Sequence, residues 1–512
     1  MTPQRRSLQK DCTESSFQKR EAATTAREAA ATDTTETAST SAATVKETDI
    51  ATKKGISATA TRKAASMSAA MVKETDIATK KGTNVIATKS SQPRKMKTAV
   101  VILNWNTRGY LEKFVPGILR SISGDDACLV VADNASTDGS MQMLSEKFPE
   151  VRQIRLDKNY GFTGGYNRAL SQIDAEYIVL LNSDIEVPVN WLRPLTLAMD
   201  THPEIGACAP KLHSWYDRDM FEYAGAAGGY LDSFGFPFCR GRIMKMVEKD
   251  TGQYDTPADV LWATGACLMV RSAIFRMLGG LDDRFFAHME EIDLCWRIQL
   301  AGYKVSIIPD SVAYHIGGGT LPQTSPWKLK LNYRNNLMLL ENNLAKTYSL
   351  RILRKSLRKK LKSVSGMESR LEQGDIPEEY FRGIDIEKIA GRASRKARKR
   401  IFWRMVIDGC TGIAYLATFK WSSFMAVIQA HSEFRSQSRA HSHSDGEVNA
   451  FLAGIINASG DPRKRKVLPR SGKLPAVKGL YPHWIIPRAL FLRRRAFGSV
   501  RRYFSEHVET DI

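Results

Sequence analysis

Paired cysteines are missing from this chain. Its seven (Cys12, Cys128, Cys208, Cys239, Cys267, Cys295 and Cys410) are odd in number and scattered, and they form no C-x-x-C. That excludes a disulfide framework and a structural zinc site of ordinary spacing, and it fits a reducing compartment. The N-terminus has no apolar core segment, so no secretory signal is expected. No run of about 18 uncharged apolar residues occurs, so no helix is expected to span a bilayer. Acids are in short supply as well: 75 Lys and Arg face 54 Asp and Glu, giving a net charge of +21. Such a balance suits nucleic acid, anionic lipid or a polyanionic substrate. The basic residues crowd into the first hundred positions and beyond about 350, so the middle reads as an ordinary soluble domain. No nucleic-acid-binding motif accompanies the charge, and nucleic acid is not expected as a partner.

Residues 1–96 contain almost no aromatics and are rich in Thr, Ala, Ser and Lys; the segment Val45–Gly55 recurs unchanged at Val72–Gly82. Large apolar side chains are too few there to offset the entropy of ordering, so a disordered, low-complexity extension is expected. Two copies of a polar unit do not make a solenoid.

From Thr98 the texture changes. Ala99–Leu103, Cys128–Ala132 and Tyr177–Leu181 are short apolar runs of the kind that form strands buried on both faces. Helical patterns at Tyr110–Ser121, Met141–Phe148 and Tyr166–Ile173 separate them. The alternation predicts an α/β fold with a mostly parallel sheet, in which ligands bind at the carboxyl ends of the strands. Asn104-Trp105-Asn106 follows the first run, Asp133-Asn134-Ala135-Ser136-Thr137-Asp138-Gly139-Ser140 the second, and Asn182-Ser183-Asp184 the third. Asn, Asp and Ser also make turns and helix caps, which is the plainer reading for Thr137 or Asp138 ahead of Met141. The glycines of Asn159–Asn167 allow tight turns and close approach to a ligand. Their spacing is not G-x-G-x-x-G and they follow no first βα turn, which disfavours a nicotinamide site.

Phe285–Arg297 places Glu290, Glu291 and Asp293 between aromatic and aliphatic neighbours. Apolar flanks draw a segment inward, where carboxylates are costly unless something uses them, as a general base or a metal ligand does. Helix capping at the positive end of the macrodipole is the alternative, and for Glu290 the two are compatible.

These motifs, in the order Leu103–Asn106, Asp133–Ser140, Asn159-x-Gly161-Phe162-x-x-Gly165-x-Asn167, Leu181–Asp184 and Met289–Asp293, resemble glycosyltransferase family 2. The likeness is to its bacterial rhamnosyltransferase-like branch and covers roughly residues 97–345, with a looser echo to about 435. It implies a GT-A nucleotide-diphospho-sugar transferase fold and a hexosyltransferase-type enzyme. Such an enzyme inverts the anomeric centre as it moves a sugar from a dTDP- or UDP-sugar to a hydroxyl of a lipid-linked glycan acceptor in cell-surface polysaccharide synthesis. By the resemblance, Asn104, Trp105, Asn106, Asp133, Asn134, Asp138, Asn159, Gly161, Phe162, Gly165, Asn167, Asn182 and Ser183 line the donor site. Asp184, with His315, would hold Mg²⁺ or Mn²⁺. Glu291 is the expected general base, with Glu290 and Asp293 orienting it or the acceptor. Trp262 and Gly265 fall in the acceptor-side segment. A packed histidine and a core tryptophan are the plain alternatives for His315 and Trp262. Three positions depart from the family pattern. Asn182 replaces the first acid of D-x-D, Glu291 stands where many relatives have Asp, and Tyr166 occupies a place where a smaller or amide residue is commoner, which bears on donor preference. The rival reading, prompted by Asn182 and the long basic arms, is an inactive GT-A scaffold of a polysaccharide assembly complex.

The expected organisation is therefore a disordered extension over 1–96, the transferase domain over 97–325, a basic helical region over 326–435 and a basic tail over 436–512. Beyond Pro326, Trp327–Asn336 resembles the family's helix after the catalytic domain. Leu353–Val364, Ile401–Ile428 and Trp484–Tyr503 mix basic and apolar residues. Such stretches suit a peripheral place on an anionic membrane face, here the inner face of the cytoplasmic membrane.

Overall fold

The strand β1 (Met96–Asn104) is fully enclosed from Thr98 to Ile102, as a run of apolar residues without alternation requires. It lies between β2 (Ala127–Asp133) and β4 (Ala175–Leu181), parallel to both, and β2 carries β3 (Arg152–Arg155), also parallel, at the edge. The remaining strands of this computed structural model are the short β5 (Ile185–Glu186), β6 (Ile205–Ser214), β7 (Gly229–Leu231), β8 (Pro237–Cys239), β9 (Arg242–Ile243), β10 (Met246–Val247), β11 (Ala258–Asp259), β12 (Cys267–Arg271) and β13 (Lys304–His315). Among the described residues, nine strands form one sheet in the order β11-β13-β6-β12-β4-β1-β2-β3, with β5 on β13, and β7 to β10 form a small second sheet. The strand β12 runs antiparallel to both β4 and β6, while β6 and β13 are parallel, so the sheet is mixed but mostly parallel.

The structure describes residues 96–317, 325–361, 376, 378–440, 445–459, 474–491 and 497–501. The two-copy repeat, Gly318-Gly319, Lys362–Val364 and Arg493-Arg494-Arg495 lie outside them.

Helices α1 (Arg108–Ile122), α2 (Ser140–Lys147), α3 (Gly161–Leu170), α4 (Leu192–Thr201), α5 (Ser272–Met277) and α6 (Glu290–Leu300) flank the sheet. The helix expected from Tyr166 begins instead at Gly161, so the glycine segment is its first turns rather than a loop. Glycine permits that. A Cβ on Gly165 would lie 2.8 Å from Leu103, so the bare backbone lets α3 press against the end of β1. Tyr166 is fully buried and its hydroxyl donates toward Val101 O and Leu181 O, both at 3.2 Å. It ties β1 to β4 from inside the core and offers nothing to a donor sugar, which corrects the expectation drawn from its size.

After β13, α7 (Pro326–Leu361) opens on a proline, whose missing N–H costs nothing at a first helical position. The helices α8 (Ile386–Ala417) and α9 (Trp421–Ala440) pack on α7 and on each other, and α7 packs on α6. The packing places α7 where it supports the backbone just ahead of Glu290. Phe286, His288 and Met289 have φ of 62°, 72° and 74°, left-handed values that cost non-glycine residues of order 1–3 kcal/mol each. Neighbouring elements hold them there. The buried Asn335 of α7 donates from Nδ2 to Phe285 O (3.0 Å), Ala287 O (2.7 Å) and His288 O (2.7 Å). Arg334 Nη2 donates to Arg284 O (3.1 Å) and Phe285 O (2.9 Å). From the other side, Phe162 N donates to Phe286 O at 2.7 Å. Asn335→Leu keeps the volume and removes the donors, so it is expected to destabilise the protein by about 1–3 kcal/mol. Urea unfolding at neutral pH measures this.

Candidate active site

At the carboxyl ends of β1 and β2, Asn104 Nδ2 donates toward Asp133 Oδ1 (2.9 Å), Ser136 Oγ (2.9 Å) and Ser140 Oγ (2.7 Å), and Thr107 Oγ1 donates to its Oδ1 at 2.6 Å. Asn104 has no exposed surface. It is a knot joining two strand ends and two helix starts, which corrects its expected contact with the nucleoside. Asp138 accepts from Arg108 N (2.8 Å) and Ser140 N (3.0 Å), anchoring the starts of α1 and α2. Burial would raise its carboxyl, but these donors outweigh that and hold it below the usual range. Trp105 and Asn106 are exposed, and Asn106, at φ 55°, is tied to the knot by its N donating to Ser136 Oγ (3.0 Å) and its Oδ1 accepting from Thr137 N (2.8 Å).

The next link is amide to amide. Asn134 Nδ2 donates to Asn159 Oδ1 (2.9 Å) and Gly161 O (3.0 Å), while Asn159 Oδ1 also accepts from Gly161 N at 2.8 Å. Gly161 has φ +71° and a Cβ there would fall 2.5 Å from the Phe286 ring, so this position admits glycine alone. Asn167 faces elsewhere: its amide holds Leu281 O (2.8 Å), Leu281 N (2.9 Å) and Asp283 Oδ1 (2.6 Å), so its expected donor contact is corrected to bracing that turn.

At the end of β4, Asn182 N donates to Ala266 O at 2.9 Å, and the neighbouring Gly265 would bring a Cβ within 3.3 Å of Glu291 Cβ. The segment holding Gly265 thus bridges the third strand end and the acidic pair. Trp262 does not share in this. It is 3% exposed, lies against Gly229, and donates from Nε1 to Tyr230 O at 3.1 Å. The core reading holds, and stacking on a sugar is corrected.

The ladder between β5 and β13 sets His315 opposite Ile185 and so beside Asp184. His315 Nε2 lies 3.2 Å from Asp184 Oδ1 and its Nδ1 3.4 Å from Glu222 Oε1, all three side chains being buried. Burial alone would lower the imidazole, but the two carboxylates outweigh it and raise His315 to about 10. Asp184 moves the other way: burial opposes its charge, and the imidazolium beside it still holds it below the ordinary value. Asn182 Nδ2 approaches His315 Nε2 at 3.5 Å. Among the described residues, no group of three or more His, Cys, Asp or Glu converges to hold a metal by itself.

The acidic motif divides in two. Asp293 is fully buried and accepts from Asn342 (3.0 Å), Asn343 (2.7 Å) and Arg297 Nε (2.7 Å). Asp293, expected to orient Glu291 or the acceptor, fastens α6 to α7. Glu290 Oε2 and Glu291 Oε2 are buried without any hydrogen-bond partner. Burial and then the Glu291 charge push Glu290 well up, and burial pushes Glu291 up to about 7 against the pull of the backbone amides at the start of α6. Their side chains open α6 with no capping hydrogen bond from Met289, the residue before them.

Two further residues belong here that the motifs did not pick out. Glu222 is one; its signal was an acid between Phe221 and Tyr223, the same apolar flanking that drew attention to Glu290. His288 is the other, its Nε2 buried and unpartnered, with burial and then nearby Lys328 lowering it to about 4.

A sequence profile described as Glycosyl transferase family 2 matches residues 99–251, the span that carries the first four motifs. Residues 99–251 are thus similar to glycosyl transferase family 2. The transferase has the GT-A fold and is an enzyme of the hexosyltransferase type. It is 27% identical over 234 residues to an N-acetylglucosaminyl-diphospho-decaprenol L-rhamnosyltransferase of Mycobacterium tuberculosis, covering 42% of this chain and 75% of that protein. Identity to the rhamnosyltransferase WbbL of Escherichia coli K12 is 24% over 255 residues, 46% of this chain and 90% of WbbL. The low-salt glycan biosynthesis hexosyltransferase Agl10 of Haloferax volcanii is 25% identical over 249 residues, 47% of this chain and 74% of its own.

Proposed function

We propose that the transferase moves a sugar, with inversion, from a dTDP- or UDP-sugar to a hydroxyl of a lipid-linked glycan during surface polysaccharide synthesis. The observation that supports this most is the pair of buried, unpartnered carboxylate oxygens on Glu290 and Glu291 at the rim formed by the strand ends. A fold that pairs most of its buried polar atoms leaves such oxygens bare where a ligand is to meet them. The lipid-linked acceptor is suggested by the decaprenol-diphosphate in the name of the mycobacterial relative. Residues 97–325 would perform the transfer, and the basic regions 326–435 and 436–512 would keep the enzyme at the inner face of the cytoplasmic membrane.

In this reading Glu291 accepts the proton of the attacking hydroxyl. The acceptor oxygen bonds to the anomeric carbon on one face while the bond to the diphosphate breaks on the other. A group near pH 7 suits that task, being ionised often enough to act and basic enough to take the proton. Glu290, held protonated beside it, would donate a hydrogen bond to the acceptor. Asp133, Asn159 and Phe162 would line the nucleoside side, with Trp105 and Asn106 at its open edge and Ser183 toward the diphosphate.

Asp184 and His315 fit Mg²⁺ or Mn²⁺, since a hard cation needs few protein ligands when diphosphate oxygens and water complete its shell. When bound it would neutralise the departing diphosphate. His315 would ligate through Nε2 after giving up its proton, and Glu222 would hold the ring by Nδ1, as carboxylates commonly do behind metal-binding histidines. Glu222→Gln is expected to weaken Mn²⁺ binding about 10–100-fold with little loss of fold stability. Titration of free Mn²⁺ by electron paramagnetic resonance reads the change directly.

A thermal-shift panel of UDP-, dTDP- and GDP-sugars with Mn²⁺ tests the proposal, because a ligand that binds only the folded state raises Tm with its occupancy. A rise with dTDP- or UDP-sugars supports it. No shift with any nucleotide sugar removes it and favours the scaffold reading.

A further inference from the structure

We infer that the turn between α8 and α9, with the adjoining outer face of α8, is a lipid-docking surface that inserts into the interface of an anionic bilayer. The inference deepens the membrane-borne acceptor reading above and rests on it for its purpose, though not for its physical argument.

Seen along α8, the chain changes character at one point. Arg392, Arg395, Lys396, Arg398 and Lys399 are all exposed. Beyond them, from Phe402 to Phe419, the only charged residues are Arg404 and Asp408. Both are turned inward: Arg404 is 3% exposed and Asp408 1%, and they pair at 2.8 Å. The outer face of this half therefore carries no charge. It presents Phe402 (60% exposed), Trp403 (49%), Val406 (37%), Ile413 (64%), Leu416 (43%) and Phe419 (95%). Phe419 sits in the turn at φ 55°, and Trp421, 62% exposed, opens α9 beside it. Large apolar side chains gathered this way on a soluble surface mark an interaction site.

The chemistry of the patch selects a bilayer. Cations next to apolar and aromatic side chains match the headgroup and acyl layers of an anionic membrane, with the apolar part buried roughly 5–10 Å. Tryptophans at both ends of the uncharged stretch, Trp403 and Trp421, suit the boundary between the two layers. Among the described residues no helix is long and apolar enough to cross a membrane, so the surface would rest in one leaflet. A second copy of the chain would bring like charges together even with Arg398 paired to Asp445 at 3.6 Å, since from Lys388 to Lys420 the sequence has no acid other than the buried Asp408.

Cys410, exposed on α8 inside the uncharged stretch, supplies a reporter. The full chain, with Cys12→Ser and Cys128→Ser, is labelled there with an environment-sensitive dye and mixed with phosphatidylglycerol–phosphatidylcholine or pure phosphatidylcholine vesicles. The dye is expected to shift to the blue and brighten with the anionic vesicles only. Trp403→Ser, Phe419→Ser and Trp421→Ser combined should lower vesicle affinity at least about tenfold, because binding scales with buried apolar area. Arg395→Glu with Lys399→Glu should lower it as well, and both sets should keep transfer to a water-soluble short-chain acceptor. Unchanged sedimentation of these variants overturns the inference, as does a dye that stays water-like on bound protein. Self-association without lipid that buries Cys410 also overturns it, in favour of a second copy. Vesicle binding without any sugar transfer by the parent chain would remove the transferase proposal and leave this surface standing.

Discussion

Glu291→Gln is expected to lower kcat by about 10²–10⁴-fold while leaving donor affinity nearly unchanged. Glutamine keeps the shape and loses the basic oxygen, so the proposed donor pocket around Asn159 and Gly161 is untouched. The parent enzyme should show a rate that falls below pH 7, tenfold for each unit, because Glu291 must be ionised to act and burial holds it near 7. That limb should vanish in the variant's residual activity. Stability moves in the opposite sense. A carboxyl whose folded value lies above its unfolded one binds more protons when folded, so its contribution is complete below about 4.5 and declines as pH rises through about 7. At pH 8 the glutamine variant should therefore be at least as stable as the parent, which separates lost chemistry from lost fold. A pH series of kcat with matched urea curves measures both.

Asp184→Asn carries the second large effect. The amide retains a hydrogen bond to the buried His315 but gives up the negative charge. Transfer should fall by about 10²–10³-fold, the scale of removing one group that stabilises charge in the transition state. Chelation by EDTA should bring the parent enzyme to a similar level, with Mn²⁺ restoring the parent and failing to restore the variant. His315 would also change, since Asp184 is one of two carboxylates that keep it protonated. An imidazole NMR titration that found His315 unmoved by Asp184→Asn would contradict the ion pair on which this rests.

How much of this could be read from residues alone differs by element. The runs Ala99–Leu103, Cys128–Ala132 and Tyr177–Leu181 are unbroken because both faces of their strands are covered, and that leaves a mark in any single sequence. The residues that follow them lie at the carboxyl ends of three parallel strands. What each side chain does there was less legible, since an asparagine that binds a ligand and one that ties strand ends look alike in sequence. Asn104 proved to be the second kind, saturated by Asp133, Ser136, Ser140 and Thr107. Trp262 was undecidable for a similar reason: its ring is covered by Gly229, and no local pattern announces which glycine will lie against which aromatic. Asp293 shared a motif with Glu290 and Glu291, yet helix periodicity turns it toward Asn342 and Asn343 of α7. The asparagines themselves had a readable signal, a polar cluster within the apolar face of a long helix. Glu222 could be seen as an acid with apolar flanks, but its segment reaches His315 through the bridge of Phe221 to His213 on β6, which in turn pairs with β13.

The strained backbone at Phe286, His288 and Met289 connects these findings to the chemistry. Left-handed residues persist where their surroundings over-determine them, and here Asn335, Arg334 and the start of α3 do so. The result is a fixed direction for Glu290 and Glu291 at the rim.

Whether Glu291 drives sugar transfer is decided by release of nucleoside diphosphate by the full chain, from dTDP- and UDP-sugars, with Mn²⁺ and a polyprenyl-diphosphate-linked acceptor. Acceptor-dependent release is expected from the parent, and a Glu291→Gln variant should bind the same donor and release almost none. Release by Glu291→Gln at the parent's rate, or a parent that binds no nucleotide sugar, would contradict that role.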